Sequence, residues 1–375
     1  MPHTATLKPK EDRRLLRGHR WAYRNEFAAL PNAEDGDLVD VLADGGRFLG
    51  RGFFQTTGGI AVRLLTLEDK PVDAALLRAR IHRARRYREQ RFGDSTAYRW
   101  VHAESDGLPG FVADRYDRVV SVQAGSVFYA QHAEAIAEAF LEVPGVTAVR
   151  LEIGGLVTRF GELAPPLEVR INELRFAVDV EQGQKTGMFL DQRENVCMLR
   201  NLSRDARVLD GHCYTGLWGI SAARWGAKDV TCVDTSATAV DMARQNARLN
   251  GVEDRCHFEC ADIQEALRNK GPFDIVMLDP PALAKTRGQT RKALGVYLAL
   301  NRLAMEALAP GGWLITSSCS HFVGAEAFVE TIKRAARTAR RDVWLVELRG
   351  AAPDHPVLLA MPETAYLTCA ALRLV

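Results

Sequence analysis

The chain has no long hydrophobic run and few cysteines for its 375 residues. No stretch reaches the roughly 18 consecutive apolar residues of a membrane-spanning helix. The N-terminal stretch MPHTATLKPKEDRR also has no apolar segment of the kind that a secretory signal contains. The seven cysteines are odd in number and scattered, which argues against a disulfide framework. These absences predict a cytoplasmic protein with free thiols.

Two ligand-binding patterns are missing as well. Cys256, His257 and Cys260 lie close together, but no second ligand pair follows at the spacing of a zinc site, so we expect no bound metal. The loop LDGHCYTGLWG contains glycines without the GxGxxG spacing of a dinucleotide-binding turn. A nicotinamide-dependent dehydrogenase is therefore disfavoured.

Charge is nearly balanced over the whole chain but unevenly distributed. The net charge is only +2, yet the segment Leu76–Arg91 has seven arginines and one acid, Glu89. The spacing of the apolar residues predicts a helix here, with one apolar stripe and with the arginines on the rest of its surface. The stripe consists of Leu77, Ile81, Ala84 and Tyr87. A second basic cluster lies near the N-terminus, at Arg13, Arg14, Arg17, Arg20 and Arg24. The front half therefore favours a polyanionic partner, with a merely solvated helix face as the alternative.

The length and the patterning predict three domains. Residues 1–69 contain short strands with an Asp-Gly-Gly turn at Asp44–Gly46, which is typical of a small β-barrel. Residues 70–183 mix the arginine-rich helix with strands, including a hairpin that turns near Asn172 and Glu173. In residues 184–375 short apolar strands alternate with helices, which predicts an α/β domain with a largely parallel sheet.

Acidic side chains follow several of the predicted parallel strands. In such a sheet ligands bind beyond the carboxyl ends of the strands, so these positions are candidates for a binding site. The acids are Asp210, Asp234, Asp262 and Asp279. Asp234 is suited to accept from both hydroxyls of a ribose, which fits NAD or S-adenosylmethionine equally well. Asp262 and Ile263 suit an adenine, through the exocyclic amine and a ring face. For both Asp234 and Asp262, capping of the following helix is the alternative.

The segment FDIVMLDPPALAK places Asp279, Pro280 and Pro281 at the end of the fourth strand. The two prolines fix the direction of the chain and remove two backbone donors, which suits a rigid ledge beside a flat base. Together with the preceding acids, this segment resembles the class I S-adenosylmethionine-dependent methyltransferases. Many such enzymes that methylate exocyclic amines carry an aromatic residue where this chain has Ala282. The difference disfavours methylation of an amine.

Cys319 follows the fifth strand, in WLITSSCSHF, and is the candidate nucleophile. C5 of cytosine becomes reactive toward a methyl donor when a thiolate adds at C6, so such an enzyme needs an ionisable, partly open cysteine. The polar neighbours of Cys319 fit that need, whereas a buried thiol at a strand end is the alternative. Cys232 and Cys260 lie within strand patterns, which indicates core positions.

The segments QKTGMFLDQREN, YTGLWG, DPPALAK, SSCSH and DHPVLLAMPETAYL together resemble the bacterial large-subunit rRNA cytosine-C5 methyltransferases with an N-terminal PUA domain. The resemblance covers essentially the whole chain. It implies a PUA barrel, a central α+β domain and a C-terminal Rossmann-like methyltransferase sheet. It also implies Cys319 as nucleophile, Asp279 as the residue that orients the base, and S-adenosylmethionine as cofactor. The implied cofactor site contains Lys185, Phe189, Asp191, Arg193, Asn195, Asp210, Tyr214, Thr215, Gly216, Asp234, Asp262, Ile263, Asp279 and Pro280.

The resulting hypothesis is methyl transfer to C5 of a cytosine in 23S rRNA through a covalent bond between Cys319 and C6. Two alternatives are N-methylation of an rRNA base, such as guanine, and a non-catalytic rRNA-binding assembly factor. The predicted partner is 23S rRNA, with no membrane association and with self-association into a homodimer as a further expectation. The target nucleotide does not follow from the sequence.

Overall fold

The computed structural model describes residues 2–93, 95–163, 166–181, 183 and 186–375. The chain forms two compact units. The first consists of Met1–Val169, Val178–Met188 and Pro353–Thr364, and the second of Arg170–Ala177, Phe189–Ala352 and Ala365–Val375. This division is coarser than the three predicted domains, whose boundaries stay predictions.

The N-terminal part of the first unit is a mixed sheet with the strand order β1-β3-β4-β5-β2. Its strands are β1 His3–Thr6, β2 Trp21–Tyr23, β3 Leu38–Leu42, β4 Phe48–Phe54 and β5 Ile60–Thr66, and a short helix α1 spans Arg13–Leu16. Strand β3 alternates between buried and half-buried side chains, and the sheet carries a core that includes Val39, Val41 and Val62. The predicted turn at Asp44–Gly46 joins β3 and β4.

A second sheet of the first unit has the order β10-β9-β8-β7-β6. Its strands are β6 Ala97–His102, β7 Phe111–Tyr116, β8 Val119–Ala124, β9 Ala148–Ile153 and β10 Leu156–Phe160. The helices of this part are α2 Ala74–Phe92, α3 Val127–Ala130 and α4 Ala133–Leu141. Its core contains Trp100, Phe111 and Phe140, and α2 contributes Leu77 and Ile81 to the same cluster.

The buried stripe of α2 differs from the prediction at its C-terminal end. Tyr87 is 40% exposed, whereas Arg88 is completely buried. Arg88 can be buried because its guanidinium donates to both carboxylate oxygens of Asp106, at 2.7 and 2.8 Å. These paired hydrogen bonds satisfy the guanidinium of Arg88, which the charge pattern had predicted to be exposed to solvent.

The second unit is built around a sheet with the order β15-β14-β13-β16-β17-β19-β18. Its strands are β13 Arg207–Gly211, β14 Asp229–Asp234, β15 Cys256–Cys260, β16 Phe273–Leu278, β17 Leu308–Ser318, β18 Val343–Arg349 and β19 Thr368–Leu374. The helices are α5 Leu217–Arg224, α6 Ala237–Leu249, α7 Ile263–Asn269, α8 Thr290–Ala307 and α9 Ala325–Ala339. The strands from β15 to β17 pair in parallel, whereas β19 is antiparallel to its neighbours β17 and β18. The predicted Rossmann-like α/β fold is confirmed.

The order of the strands reverses between β13 and β16, which makes this the switch point of the sheet. The carboxyl ends of β13, β14, β16 and β17 therefore meet at one edge. A two-stranded ribbon, β11 Leu167–Ile171 and β12 Leu174–Val178, precedes the sheet in the chain. Its turn residues Asn172 and Glu173 have φ of 50° and 72°, so the predicted hairpin turn is confirmed.

Within the described ranges, every helix is either too short or too polar to cross a lipid bilayer.

Candidate active site at the carboxyl edge of the sheet

Cys319 and the Asp-Pro-Pro segment meet at the switch point. β16 and β17 pair in parallel with Leu278 opposite Thr316, so the residues that follow the two strands emerge side by side. The Cys319 thiol donates to the carbonyl oxygen of Pro280, with 3.6 Å between Sγ and O. Cys319 and Asp279 are both half-buried. The structure thus brings together the two residues that the sequence marked as candidates for catalysis.

Ser320 ties the segment after β17 to the segment after β16. Its Oγ accepts from the backbone N–H groups of Leu283 and Ala284, at 2.9 and 3.2 Å. The same hydroxyl lies 3.0 Å from the phenolic oxygen of Tyr297 on α8. Burial raises the pKa of Tyr297, so its hydroxyl stays protonated near neutral pH. Ser320 therefore ties the chain just after Cys319 to the chain just after the two prolines.

Replacing Ser320 by alanine is expected to lower the free energy of unfolding by about 1–3 kcal/mol, because two backbone N–H groups lose their acceptor. Ser320 is completely buried, so water does not readily replace the hydroxyl. Urea denaturation of the wild type and the variant measures the change. Tyr297→Phe is the matched control, since it removes one partner of Ser320 but leaves both backbone bonds. An equal loss in the two variants would contradict this role for Ser320.

Gln192 links a third segment to the same edge. Its side-chain nitrogen donates to Oδ1 of Asp279 at 3.0 Å and to Oγ of Ser317 at 2.9 Å. Its side-chain oxygen accepts from Asn195 at 2.7 Å, and Asn195 also donates to the carbonyl of Gly350. Gln192 is 1% exposed, so these bonds set the orientation of the Asp279 carboxyl group.

Ser317, Ser320 and Tyr297 were not predicted as site residues, and Gln192 was included only as part of the segment QKTGMFLDQREN. The only sequence signal was the density of polar side chains around Gln192 and Cys319. That density indicates a site but does not say which of the side chains face it.

The other predicted residues before β13 make contacts of their own. Asp191 accepts from the hydroxyl of Tyr366, at 2.6 Å. Phe189 packs edge-to-face against Tyr214, with 5.1 Å between the ring centroids. Arg193 is buried. Lys185 lies outside the described residues. Contact of these residues with a cofactor stays a prediction.

Asp210, at the end of β13, is completely buried. Its Oδ2 accepts from the backbone N–H of Gly219 at 2.7 Å, whereas its Oδ1 has no hydrogen-bond partner among the residues that the structure describes. A side chain at position 219 would place its Cβ 2.5 Å from the Cys232 sulfur and 3.0 Å from Asp210, so only glycine fits there. Burial raises the pKa of Asp210 to about 7.

The pKa of Asp210 predicts a pH-dependent stability. The unfolded chain releases this proton near the ordinary value of 3.8, but the folded chain keeps it up to about pH 7. The folded state therefore binds more protons in that window, and its free energy of unfolding falls as the pH rises through it. Asp210→Asn removes this loss. Urea denaturation in the absence of cofactor should show that the variant gains stability over the wild type as the pH rises from 5 to about 7. The gain should be about 2–3 kcal/mol, and it should not increase further above that pH. A difference that does not change with pH would contradict the shifted pKa.

Asp234 holds the loop that follows β13. Its Oδ2 accepts from the backbone of Tyr214 and its Oδ1 from the backbone of Ser236, both at 2.9 Å. The N-cap of α6 is Ser236 itself, whose hydroxyl accepts from Ala239. The alternative that Asp234 caps this helix is thus wrong. A carboxylate accepts about four hydrogen bonds, so these two contacts leave capacity for a ligand.

Asp262 and Ile263 lie at the start of α7. Asp262 is the N-cap of this helix, and its Oδ1 accepts from the backbone N–H of Gln264 at 2.7 Å. The predicted cap is therefore present, but it uses one carboxylate oxygen and does not exclude a contact with adenine. Ile263 is buried and covers Gly211, where an added Cβ would lie 2.7 Å from its side chain. The N-cap of α5 is Gly216, and the buried Thr215 precedes it, with its carbonyl held by Asn246 at 3.0 Å.

The seven cysteines differ in accessibility. Cys213, Cys232, Cys256 and Cys369 are buried, and burial raises the pKa of both Cys256 and Cys369 to about 12. The interpretation of Cys260 as a core residue is wrong, because it is exposed at the end of the edge strand β15. Cys319 combines partial exposure with a position at the switch point.

Comparison with known proteins agrees with this architecture. Residues 5–67 match the model of a PUA-like domain, and residues 160–361 match the S-adenosylmethionine-dependent methyltransferase family. The chain is 37% identical over 385 residues to the protein named ribosomal RNA large subunit methyltransferase I of Shewanella denitrificans, and 38% identical over 382 residues to that of Shewanella amazonensis. In both comparisons 96% of each chain is covered.

The crystal structure of SMU.776, solved in complex with SAH, shares the fold with a TM-score of 0.89 at 21% identity, over 100% of both chains. The identity to the curated relatives and the two family matches lead to one conclusion. The chain belongs to the S-adenosylmethionine-dependent methyltransferase family, carries a PUA-like domain, and is a relative of the proteins named ribosomal RNA large subunit methyltransferase I.

Proposed function

We propose that this methyltransferase modifies C5 of a cytosine in 23S rRNA and that Cys319 is its nucleophile. The observation that carries the proposal is the contact of the Cys319 thiol with Pro280, next to Asp279, at the switch point of the sheet. The names of the Shewanella relatives support a large-subunit rRNA as substrate. The C5 carbon of a pyrimidine is inferred from the chemistry of the cysteine, and the choice of cytosine is inferred from Asp279.

The residues at the carboxyl edge fit S-adenosylmethionine. Asp210 offers a buried carboxylate oxygen that lacks a partner in the described part of the chain. Asp234 keeps acceptor capacity for the ribose hydroxyls, and Asp262 and Ile263 suit the adenine. The proposed cofactor site is completed by Phe189, Asp191, Arg193, Asn195, Tyr214, Thr215, Gly216 and Pro280. When bound, S-adenosylmethionine supplies an electrophilic methyl group.

The Cys319 thiolate overcomes the low reactivity of cytosine C5. It adds to C6 and forms a carbon–sulfur bond, and the electrons of the C5–C6 double bond make C5 a nucleophile. Once C5 carries the methyl group, a base removes the remaining C5 proton. The electrons of that C–H bond restore the double bond and expel the thiolate. Covalent catalysis thus divides one difficult substitution into an addition and an elimination.

Asp279 positions the base in this scheme. Its carboxyl group is oriented by Gln192, which is itself held by Asn195. A carboxylate at this position accepts from the exocyclic amine of cytosine, whereas uracil presents an oxygen there. Asp279 thereby favours cytosine over uracil and places C6 near the sulfur.

Transfer of a labelled methyl group tests the proposal. The substrate is 23S rRNA from a strain that lacks the protein, and the labelled nucleosides are separated and identified by mass spectrometry. We expect label in 5-methylcytidine at one position. Label in an N-methylated base such as guanine would favour the first alternative, and rRNA binding without transfer would favour an assembly factor. Either outcome would contradict the proposal.

The predicted homodimer and the cytoplasmic location stay predictions. Sedimentation equilibrium of the purified chain measures the first, and fractionation of cells that produce the protein measures the second. The proposed reaction requires neither a partner subunit nor a metal.

A further inference from the structure

A cleft beside α2 in the first unit concentrates positive charge. It has a volume of about 490 Å³ and is called the arginine cleft below. Its basic lining residues are Arg20, Lys70, Arg80, Arg83 and Arg86. The one carboxylate among its described lining residues is Glu68, which accepts from Lys70 at 3.1 Å. The cleft therefore carries a clear excess of positive charge.

Two of these arginines are held by backbone carbonyls. The guanidinium of Arg80 donates to the carbonyl of Gly107, and that of Arg83 donates to the carbonyl of Asp106 at 2.9 Å. A carbonyl fixes the direction of a guanidinium group but, unlike a carboxylate, leaves its full charge. The turn before β7 thus positions two cations without neutralising them.

The carboxylates of the same turn bind other partners and do not neutralise Arg80 or Arg83. Both oxygens of Asp106 bind Arg88, and one of them also accepts from the backbone of His102. Glu104 accepts from Arg63 at 2.7 Å and from the indole of Trp21 at 2.8 Å. Neither side chain lines the arginine cleft.

Other arginines of α2 have carboxylate partners. Arg78 pairs with Glu142 at 2.8 Å, and Arg85 pairs with Glu89 at 2.5 Å. The lack of neutralisation in the cleft is therefore not a general property of this arginine-rich helix.

The cations of the cleft are crowded. The pKa of Arg80 is lowered to about 10, mainly by burial and further by the charges of Arg83 and Arg20. Burial and the charge of Arg83 likewise lower the pKa of Arg20. The Nε of Arg20 is buried and has no hydrogen-bond partner in the part of the chain that the structure describes. An anion with several acceptor oxygens would relieve the repulsion among these cations.

Gly107 gives the cleft its shape. It has a φ of +79°, and a Cβ at this position would lie 3.3 Å from Nε of Arg80. Glycine both adopts this backbone conformation and lets the guanidinium lie directly against the chain.

We propose that the arginine cleft binds a phosphate group of the RNA backbone. Guanidinium groups match the oxygens of a phosphate through paired hydrogen bonds, and a phosphate accepts from several of them at once. RNA as the source of this phosphate rests on the proposed rRNA substrate, whereas the affinity of the cleft for phosphate does not. The site would hold the RNA backbone without reading its sequence.

Titration with inorganic phosphate tests the site by itself. The full-length wild type, Arg80→Gln and the control Arg78→Gln are compared by 31P line broadening at constant ionic strength. The control loses the same charge on the same helix outside the cleft. We expect Arg80→Gln to weaken phosphate binding at least fivefold and Arg78→Gln to leave it within twofold. Equal binding by all three proteins would overturn the proposal. Circular dichroism of Arg80→Gln confirms its fold, which the loss of a crowded charge should not disturb.

The salt dependence of rRNA binding tests the source of the phosphate. For the wild type and both variants, affinity for 23S rRNA is measured between 50 and 200 mM KCl. Each phosphate contact contributes a slope of about 0.7–0.9 in log affinity against log salt concentration. We expect the slope for Arg80→Gln to be smaller in magnitude than that for Arg78→Gln by about 0.7–0.9, which corresponds to the loss of one phosphate contact. An unchanged slope would overturn the RNA assignment even if inorganic phosphate binds. Failure of C5 methylation would contradict the proposed function but leave the phosphate titration unaffected.

Discussion

Replacing Cys319 by serine is expected to lower the rate of cytosine methylation by roughly 10³-fold or more, the scale seen when a catalytic nucleophile is removed. A serine hydroxyl has nearly the same size but is not ionised near neutral pH, so it does not add to C6 at a useful rate. The measurement is single-turnover transfer of labelled methyl groups to unmodified 23S rRNA.

Cys260→Ser is the matched control for the Cys319 variant. Cys260 is an exposed thiol in the same unit but on the edge strand β15, and its loss should leave the rate within about twofold. Calorimetric titration with SAH should give similar affinities for both variants, because the sulfur of Cys319 is not assigned to cofactor binding. A Cys319→Ser enzyme that transfers methyl groups at the wild-type rate would remove the basis of the covalent mechanism.

Replacing Asp279 by asparagine is expected to lower kcat/KM by about 10- to 100-fold, the range of one hydrogen bond to a charged group. Gln192 donates to Oδ1 of Asp279, so it would hold the carbonyl oxygen of the asparagine in that place. The amide nitrogen of the asparagine would then face the exocyclic amine of cytosine, which is a contact between two donors. Methyl transfer to rRNA at several substrate concentrations measures the change.

Asp241→Asn is the control for the change in charge. Asp241 lies exposed on α6, where it pairs with Arg244, outside the proposed site. We expect wild-type kinetics from this variant. If Asp279→Asn also retained wild-type kcat/KM, the carboxylate would have no part in positioning the base.

The positions of Cys319 and Asp279 could be predicted because each follows an apolar strand. Parallel strands place their carboxyl ends at a common edge, so the end of each pattern is enough to group the residues. The contacts by which Gln192 links the ends of these strands could not be predicted in this way. Gln192 is 87 positions from Asp279 and 125 from Ser317, and no local periodicity encodes contacts over such distances.

Local patterns also failed where a distant partner or the strand order changed the environment. The charge pattern of α2 assigned Arg88 to solvent, but its partner Asp106, on a separate turn, allows complete burial. Cys260 lies in an apolar strand pattern, but the strand is at the edge of the sheet, where its side chain is exposed. The capping role of Asp262 was visible from the sequence because it depends only on the adjacent helix.

Trapping of the covalent intermediate tests the central claim most directly. In an rRNA fragment with 5-fluorocytidine at the target position, C5 carries fluorine in place of the proton that must leave, so elimination cannot follow methyl transfer. After incubation with S-adenosylmethionine and proteolysis, mass spectrometry should find the methylated 5-fluorocytidine bound to the peptide that contains Cys319. Absence of an adduct in enzyme that methylates unmodified RNA, or an adduct on another cysteine, would contradict the role of Cys319.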